Sequence, residues 1–268
     1  MAVIMAINLI DTHSHINFAD YPFDADQTWF EAQEKGVSKI LVVGCDLDSS
    51  QRAIDFAKKH QNAYAIVGIH PHEAKNFLAD KEGKHKFEEI LEDSKSKKIV
   101  AIGEFGLDYF YNHSPKEDQI KLVHYQIKLA QQFNLPLMLH IRDAFDDFWP
   151  IFDEYSSKSA LEGVVHCFTG TNKELAQALN RGLYVALNGI MTFTKDLKQL
   201  EVAKTIPLDK LLLETDAPFL TPVPFRGKIC KPEHVVYTAE FLASLRDEAF
   251  GVVSSATTKN AIKLFNLN

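Results

Sequence analysis

Eight short apolar runs, each followed by an amphipathic stretch, are the feature that most limits how this chain can fold. Successive runs lie about 21 to 37 residues apart, which suits one strand plus one crossover helix. Their apolar character is continuous, as in parallel strands that are buried on both faces. The runs are NLIDTH near residue 10, KILVVG near 42, YAIVGI near 67, IVAIGE near 101, LPLMLHI near 138, GVVHCF near 165, LYVALNG near 186 and KLLLETD near 213.

Eight βα units in one chain predict an α/β fold of the TIM type, a closed (β/α)8 barrel, for which 268 residues is an ordinary length. No long Gly-, Ser- or Pro-rich linker interrupts the pattern, so we expect one domain over residues 1–268. The amphipathic stretches carry helix signals. Ser114 is placed to be an N-cap with Pro115 in the first turn, and Gly182 is placed to end a helix.

The composition indicates a globular protein, with 46% hydrophobic and 24% charged residues. No apolar run approaches the ~20 residues needed to span a bilayer, so we expect no membrane segment. Residues 1–10 are apolar but short and lack a basic region, which argues against a cleaved signal peptide. Three widely spaced cysteines, Cys45, Cys167 and Cys230, do not suggest a disulfide framework and favour a reducing, cytoplasmic setting.

Polar side chains cluster where the predicted strands end. His13 and His15 stand two positions apart, and such side chains in a strand point to the same face. The carboxyl ends of parallel barrel strands share one rim, so residues far apart in sequence meet there. The residues at these strand ends are His13, His15, His70, His72, Glu104, His140, His166 and Asp216.

Six of these residues form a nitrogen-rich set with two carboxylates. Four imidazoles and two carboxylates are too many for one tetrahedral ion, but they suit two divalent ions that share a carboxylate and keep positions open for water and substrate. Taken singly, such residues are more often hydrogen-bonded loop or surface groups. Collected at one buried rim without a cation, they would be costly to satisfy. The six are His13, His15, Glu104, His140, His166 and Asp216.

Six short segments carry most of these residues: DTHSH, GIHPH, GEFGLDY, LPLMLHIRDA, VHCFTG and ETDAPFL. In order and spacing they resemble the signature segments of the TatD family of metal-dependent deoxyribonucleases, within the amidohydrolase-like barrels. The resemblance covers the chain from Leu9 to Pro232. It implies a TIM-type barrel with a binuclear metal centre that hydrolyses phosphodiesters. It assigns His13, His15 and Asp216 to one ion and His140 and His166 to the other, with Glu104 bridging the two.

The resemblance also bears on the cofactor. Amidohydrolases that act on ring amides or phosphotriesters often bridge their ions with a modified lysine, whereas TatD-like proteins use a glutamate, here Glu104. A carboxylate needs no carbon dioxide modification, and oxygen ligands accept Mg²⁺ or Mn²⁺ as well as Zn²⁺. We therefore expect two divalent metal ions and leave their identity open.

Further residues are candidates for substrate binding. By the resemblance, His70 and His72 would donate hydrogen bonds to phosphate oxygens; the alternative is that they are loop histidines fixed by Pro71. Asp108 and Tyr109 would shape the pocket or orient a histidine behind the metal ligands.

Two arginines are candidates for phosphate contact. Arg142 follows His140 by two residues and so shares its strand face, which would direct a cation at phosphate. The alternative partners for Arg142 are Asp143, Asp146 and Asp147. Arg226 lies in the proline-rich stretch after the eighth run and would hold a phosphate.

The loop around Arg226 departs from the family pattern. The family usually has Arg-Gly-x-Arg-Asn-Glu-Pro, but this chain has RGKICKP. Ile229, Cys230 and Lys231 replace the Arg-Asn-Glu portion. This leaves the anchoring of the loop and the substrate preference open, although not the metal ligands.

The expected reaction is hydrolysis of a phosphodiester in DNA, with Glu104 as the bridge and Asp216 as the base that takes a proton from water. A net charge of −7 disfavours extended duplex contact, so the expected substrate is a DNA end or a single strand, cut as an exonuclease would. Nothing in the sequence indicates an obligate protein partner. The alternatives are an ester hydrolase such as a D-aminoacyl-tRNA deacylase, an amidohydrolase acting on a small molecule, and a non-catalytic metal-dependent binding protein.

Overall fold

The eight apolar runs form the eight strands of a single sheet, which follow one another in chain order. A computed structural model describes residues 8–111 and 113–268. Parallel strands alternating with helices make a TIM-type (β/α)8 fold, so the predicted fold class is confirmed. The strands are β1 (Leu9–Ser14), β2 (Val37–Val43), β3 (Ala63–Val67), β4 (Ile99–Asp108), β5 (Leu137–Arg142), β6 (Gly163–Val165), β7 (Tyr184–Leu187) and β8 (Leu211–Leu213).

The amphipathic stretches form helices with clear start signals. Asp46 and Ser49 make a reciprocal capping box at the start of α2, and Thr171 and Glu174 make another at the start of α7. The helices are α1 (Ala25–Glu34), α2 (Leu47–Lys59), α3 (Ala74–Ala79), α4 (Lys81–Leu91), α5 (Lys116–Phe133), α6 (Phe145–Ser156), α7 (Asn172–Asn180), α8 (Leu197–Thr205), α9 (Val235–Leu245) and α10 (Phe250–Phe265). Gly182 follows α7 with a φ of +75°, which confirms its predicted place at a helix end.

One predicted helix cap is wrong. Ser114 was expected to cap α5, but α5 has Pro115 at its N-cap position and no side-chain cap there. The Ser114 hydroxyl instead donates to His72 O at 2.6 Å and accepts from Lys75 N at 3.1 Å. The buried hydroxyl is therefore used to hold the segment after β3, a long-range contact that the local sequence signal does not contain.

The chain packs into two compact units, which we call the terminal unit and the central unit. The terminal unit comprises Cys167–Asn268 and the described part of Met1–Leu41, and the central unit comprises Val42–His166. The expectation of a single domain over residues 1–268 stays a prediction. Residues 1–7, which carry most of the segment considered for a signal peptide, lie outside the described residues.

The strands supply the cores of both units. In the terminal unit, all six residues of β1 and all four of β7 are buried, and in the central unit all five of β3 are. In the central unit β4 pairs with β3 and β5, and β5 pairs with β6. In the terminal unit β7 pairs with β8, and a parallel bridge joins Ser14 to Ala217. Among the described helices, none combines the length and the apolar character that crossing a bilayer requires.

Candidate metal centres

The terminal unit brings together two histidines from the end of β1 and an aspartate that follows β8. We call His13, His15 and Asp216 the terminal cluster. The Nε2 atoms of His13 and His15 lie 3.0 Å apart, and Asp216 Oδ1 lies 3.7 Å from the first and 3.4 Å from the second. The backbone fixes this approach, because Asp216 N donates to His13 O at 2.9 Å and His15 N donates to Ala217 O at 2.7 Å.

The spacing of these donor atoms fits one divalent ion. Ligand atoms about 2.1 Å from a shared ion lie roughly 3 to 3.4 Å from one another in tetrahedral or octahedral geometry. The side chains are shielded from solvent, with His13 fully buried, His15 3% exposed and Asp216 15% exposed. Two imidazole nitrogens and one carboxylate oxygen therefore form half of an octahedral shell or three-quarters of a tetrahedral one, and leave positions for other ligands.

Asp11 lies behind the terminal cluster and ties its two strands together. Its Oδ1 accepts from Thr215 N at 2.9 Å and from His13 N at 3.3 Å, and its Oδ2 accepts from Thr215 Oγ1 at 2.6 Å. Burial raises the pKa of Asp11 to about 8, although the hydrogen bonds from Thr215 and His13 act in the opposite direction. The carboxyl thus links β1 to the segment that carries Asp216.

The central unit contains a second convergent set on three neighbouring strands. We call Glu104 in β4, His140 in β5 and His166 directly after β6 the central cluster. Glu104 Oε2 lies 2.7 Å from His166 Nε2 and 3.8 Å from His140 Nδ1, and the two imidazole nitrogens are 3.1 Å apart. The 3.1 Å separation lies in the range for ligands of one ion, and the other two lie just below and just above it, so shifts of a few tenths of an ångström would let the three atoms share a divalent ion. Glu104 and His166 are each 5% exposed.

Asp108 fixes the tautomer of His140. Its Oδ2 lies 3.0 Å from His140 Nε2 and 3.2 Å from His72 Nε2. An ionised carboxylate only accepts, so His140 carries its proton on Nε2 and keeps the Nδ1 lone pair for a metal. Burial opposes ionisation of Asp108, but hydrogen bonds from His140 and His72 outweigh it, and the pKa of this carboxyl lies well below its ordinary value.

His70 lies beside Glu104 but presents a proton to it. His70 Nδ1 accepts from His72 N at 3.2 Å, so in the neutral ring the proton is on Nε2. That Nε2 is 3.8 Å from Glu104 Oε1. Burial lowers the pKa of His70 well below its usual value, despite the nearby carboxylate of Glu104. The neutral ring can therefore donate a hydrogen bond from Nε2, and its contact with a phosphate oxygen stays a prediction.

Two buried glutamines of α5 hold the loops that carry these side chains. Gln126 accepts from Ile69 N at 2.9 Å and donates to Ile69 O at 2.8 Å, just before His70. Gln119 accepts from Asp108 N at 2.8 Å and donates to Asp108 O at 3.1 Å. The two glutamines, seven residues apart on one helix face, satisfy backbone groups where the strands end.

The remaining predicted substrate residues of the central unit face aromatic or acidic neighbours. The Arg142 guanidinium lies 4.0 Å from the centre of the Phe110 ring and 4.9 Å from that of Tyr111. The Tyr109 hydroxyl donates to Asp147 Oδ2 at 2.9 Å. Arg142 is therefore held by rings at the edge of the central cluster.

Arg226 in the terminal unit is held in a similar way. Its guanidinium lies 3.7 Å from the centre of the Phe193 ring and donates from Nη1 to Thr221 O at 2.9 Å. A guanidinium has five donors, so one face on a ring and one donor on a carbonyl leave others for an anion.

The altered loop after Arg226 is anchored by its own residues. Cys230 is fully buried, and its N–H donates to Pro218 O at 3.0 Å. Lys231 Nζ lies 2.8 Å from Glu31 Oε2 on α1 and 4.9 Å from the centre of the Phe23 ring. An ion pair with α1 therefore holds this loop.

Several residues around the clusters were missed by the sequence reasoning. Asp11 precedes the histidine pair in the DTHSH segment, and Gln119 and Gln126 interrupt the apolar face of α5 at helical spacing, so both signals were present. Phe110 and Tyr111 gave no signal, because exposed aromatic residues in a loop show no periodic pattern.

Comparisons with known proteins give matches over nearly the whole chain. A family model described as TatD related DNase matches residues 10–266. A relative from Bacillus subtilis (strain 168), the uncharacterized metal-dependent hydrolase YabD, is 40% identical over 260 residues, covering 97% of this chain and 100% of its own. A relative from Shigella flexneri serotype 5b, the 3′-5′ ssDNA/RNA exonuclease TatD, is 31% identical over 265 residues, covering 97% and 99%.

A solved structure matches the fold of this chain. The crystal structure of YJJV, a TatD homologue from Escherichia coli K12, matches with a TM-score of 0.89 at 30% identity, covering 98% of this chain and 100% of the other.

Proposed function

This chain belongs to the TatD family of metal-dependent hydrolases, and we propose that it is a nuclease that removes nucleotides from the ends of single-stranded DNA. The observation that carries the proposal is the pair of donor clusters. Each unit gathers three imidazole or carboxylate atoms that could hold a metal ion at the carboxyl ends of its own strands. Two clusters of this kind correspond to two divalent ions, and Glu104 would be the carboxylate ligand of the central cluster.

The bound ions would supply Lewis acidity and make water nucleophilic near neutral pH. The protein side chains would transfer the proton and bind the phosphate. Asp216 is the carboxylate that accepts a proton from the attacking water. His70, as a neutral donor, and His72 would hydrogen-bond the non-bridging oxygens of the phosphate. Arg142 and Arg226 would neutralise the charge that develops on it.

The choice of an end or a single strand as substrate rests on charge. The chain has 29 basic and 36 acidic residues, so few cations are available to neutralise a long phosphate backbone. The Shigella flexneri relative is named an exonuclease on single-stranded DNA and RNA, which supports the same preference. A cytoplasmic setting remains an inference from the three cysteines.

The test is turnover by metal-depleted protein on oligonucleotides labelled at either end. The apoprotein should be inactive, and adding Mg²⁺, Mn²⁺ or Zn²⁺ in turn should restore stepwise shortening from one end. Metal content measured on the same samples should reach two ions per chain. Hydrolysis of D-aminoacyl-tRNA or of a small amide under the same conditions, without cleavage of any phosphodiester, would overturn the proposal. So would two bound ions without turnover of any substrate.

A further inference from the structure

Two large aromatic side chains lie exposed directly beyond β4. Phe110 is 55% exposed and Tyr111 is 43% exposed. Aromatic rings of this size are mostly buried in folded proteins, because each removes a large apolar area from water. Their ring centres lie 4.7 Å apart with the planes at 82°, so the edge of one ring meets the face of the other and together they make a small aromatic surface.

Arg142 gives this surface a positive charge. Its guanidinium lies over both rings, at 4.0 Å from the centre of Phe110 and 4.9 Å from that of Tyr111. His113 stacks on Tyr111 with ring centres 5.6 Å apart and an interplanar angle of 27°. Flat π systems beside a cation are what proteins use to bind bases of single-stranded nucleic acid, because every base has a π face and a linked phosphate.

The surface is fixed relative to the central cluster by a single carboxylate. Asp108 Oδ1 accepts from the backbone N–H of Phe110 and of Tyr111, both at 3.0 Å. Its other oxygen accepts from Nε2 of His140 and of His72. The same side chain therefore orients a predicted metal ligand and the backbone that carries the two rings. A group resting on the rings would have a defined position relative to His140.

We propose that the exposed ring of Phe110, with Arg142 and Tyr111 beside it, forms a stacking platform for an unpaired nucleobase next to the central cluster. This proposal rests on the proposed nuclease function and specifies its substrate. A base in a duplex has its faces covered by its neighbours and must be unstacked before it can rest on a protein ring. The platform thereby selects a strand whose bases are unpaired, whatever their sequence.

The test is a cycle of four rates, made from two proteins and two substrates. The proteins are the wild type and Phe110→Ala, and the substrates are a single-stranded oligonucleotide and the same strand with its terminal nucleotides replaced by abasic analogues. The wild type should have a kcat/KM about tenfold higher on the strand with bases, mostly through KM. Phe110→Ala should lose that preference while retaining the wild-type rate on the abasic strand.

Two further variants and one control sharpen the result. Tyr111→Phe keeps the ring and should retain the preference, whereas Phe110→Trp enlarges it and should increase the preference. Phe30→Ala removes an equally exposed phenylalanine, 53% exposed on α1, and should leave all four rates unchanged. If Phe110→Ala lowers the rate on both strands by the same factor, or on neither, the platform is overturned.

A binding measurement tests this proposal independently of the nuclease function. Anisotropy of labelled, phosphorothioate-linked strands gives the dissociation constants without any hydrolysis. If wild-type protein binds the base-bearing strand about tenfold more tightly and Phe110→Ala does not, the platform stands even where no cleavage is found, and only the nuclease proposal fails. If cleavage occurs but neither ring nor base affects affinity, the platform fails and the nuclease proposal stands. Absence of binding to either strand overturns the platform.

Discussion

At the residue scale, the central cluster depends on one carboxylate for its negative charge. Glu104 Oε2 lies within 3.8 Å of both imidazole nitrogens of the cluster, and no conservative change keeps both its shape and its charge. A glutamine at this position retains the shape of the side chain. It is neutral, however, and has one oxygen where the carboxylate has two. The ion that depends on it should then bind weakly, because two neutral imidazoles alone do not balance a divalent charge.

We therefore predict that Glu104→Gln lowers kcat by about 10²- to 10⁴-fold, the range for loss of a positioned catalytic group, while the protein remains folded. Turnover on a single-stranded oligonucleotide, metal content and thermal unfolding should be measured together. Glu240→Gln changes an exposed glutamate of α9 and serves as the matched control. A Glu104→Gln protein with full activity would reject the assignment of Glu104 as a metal ligand.

His234 makes a second residue-scale prediction, about stability. It is 5% exposed, stacks on Phe225 at 4.8 Å, and its Nδ1 accepts from Lys231 N at 3.1 Å. Burial, with Lys231 and Lys228 nearby, lowers the pKa of His234 to about 4. Between pH 6.5 and pH 4 the unfolded chain therefore binds a proton that the folded chain does not.

As the pH drops from 7 to 4, the titration of His234 alone should lower the free energy of unfolding by about 3 kcal/mol. The contribution of His234 to stability is fully present above pH 6.5 and is lost as the pH falls toward 4. His234→Gln should remove that part of the pH dependence, so the wild type should lose about 3 kcal/mol more than the variant over this range. Urea unfolding at both pH values measures the difference. Equal losses in the two proteins would mean that His234 titrates normally in the folded state.

At the scale of the elements, the local patterns predicted the strands and failed where polar side chains act across the fold. Continuous apolar runs identify strands because burial on both faces leaves no room for alternation. Ser114 has the right type and position for a helix cap, yet its hydroxyl bonds the segment after β3. The Gln119 side chain likewise forms hydrogen bonds with the backbone of Asp108. Partners of this kind are set by tertiary packing and cannot be found from spacing.

The close approach of β4 to β5 gives a prediction for a glycine. Gly106 has a φ of +154°, and a Cβ at this position would lie 1.9 Å from His140 O. Relieving that clash requires β4 to move away from β5, which would displace His140. Gly106→Ala should therefore lower the free energy of unfolding by about 2–4 kcal/mol and weaken metal binding.

A substitution at a second glycine distinguishes the cost of the clash from the cost of backbone strain. Gly182 has a φ of +75° and nothing within 4 Å of an added Cβ, so Gly182→Ala should cost only about 1 kcal/mol. Urea unfolding and metal titration of both variants provide the comparison. If Gly106→Ala is no more destabilising than Gly182→Ala, the contact between the two strands is looser than these distances imply.

At the scale of the whole molecule, strand order explains how much of the site could be found in advance. The six predicted ligands lie at or just beyond the ends of strands, and the structure gathers them into the terminal cluster and the central cluster. The rule that parallel strands place their carboxyl ends together was enough for this. The rings of Phe110 and Tyr111 lie in a loop, where neither periodicity nor strand order fixes a side chain, so their positions follow only from the three-dimensional structure.

The charge of the whole chain leads to a prediction about affinity for nucleic acid. With 29 basic and 36 acidic residues, the chain has a net charge of −7, which disfavours the approach of a polyanion. Few counterions should therefore be released on binding. For a single strand contacted at about three phosphates, the logarithm of the binding constant should fall with the logarithm of the salt concentration with a slope of about −2.

Anisotropy titrations of a phosphorothioate strand from low to high salt measure this slope, and Arg142→Gln should make it shallower by about 0.7 because one phosphate contact is lost. Lys86→Gln, on the exposed face of α4, should leave the slope unchanged and controls for a general effect of charge. A slope near −6 would instead imply a long, basic track for the strand, which the composition of this chain does not provide, and would contradict recognition confined to a strand end.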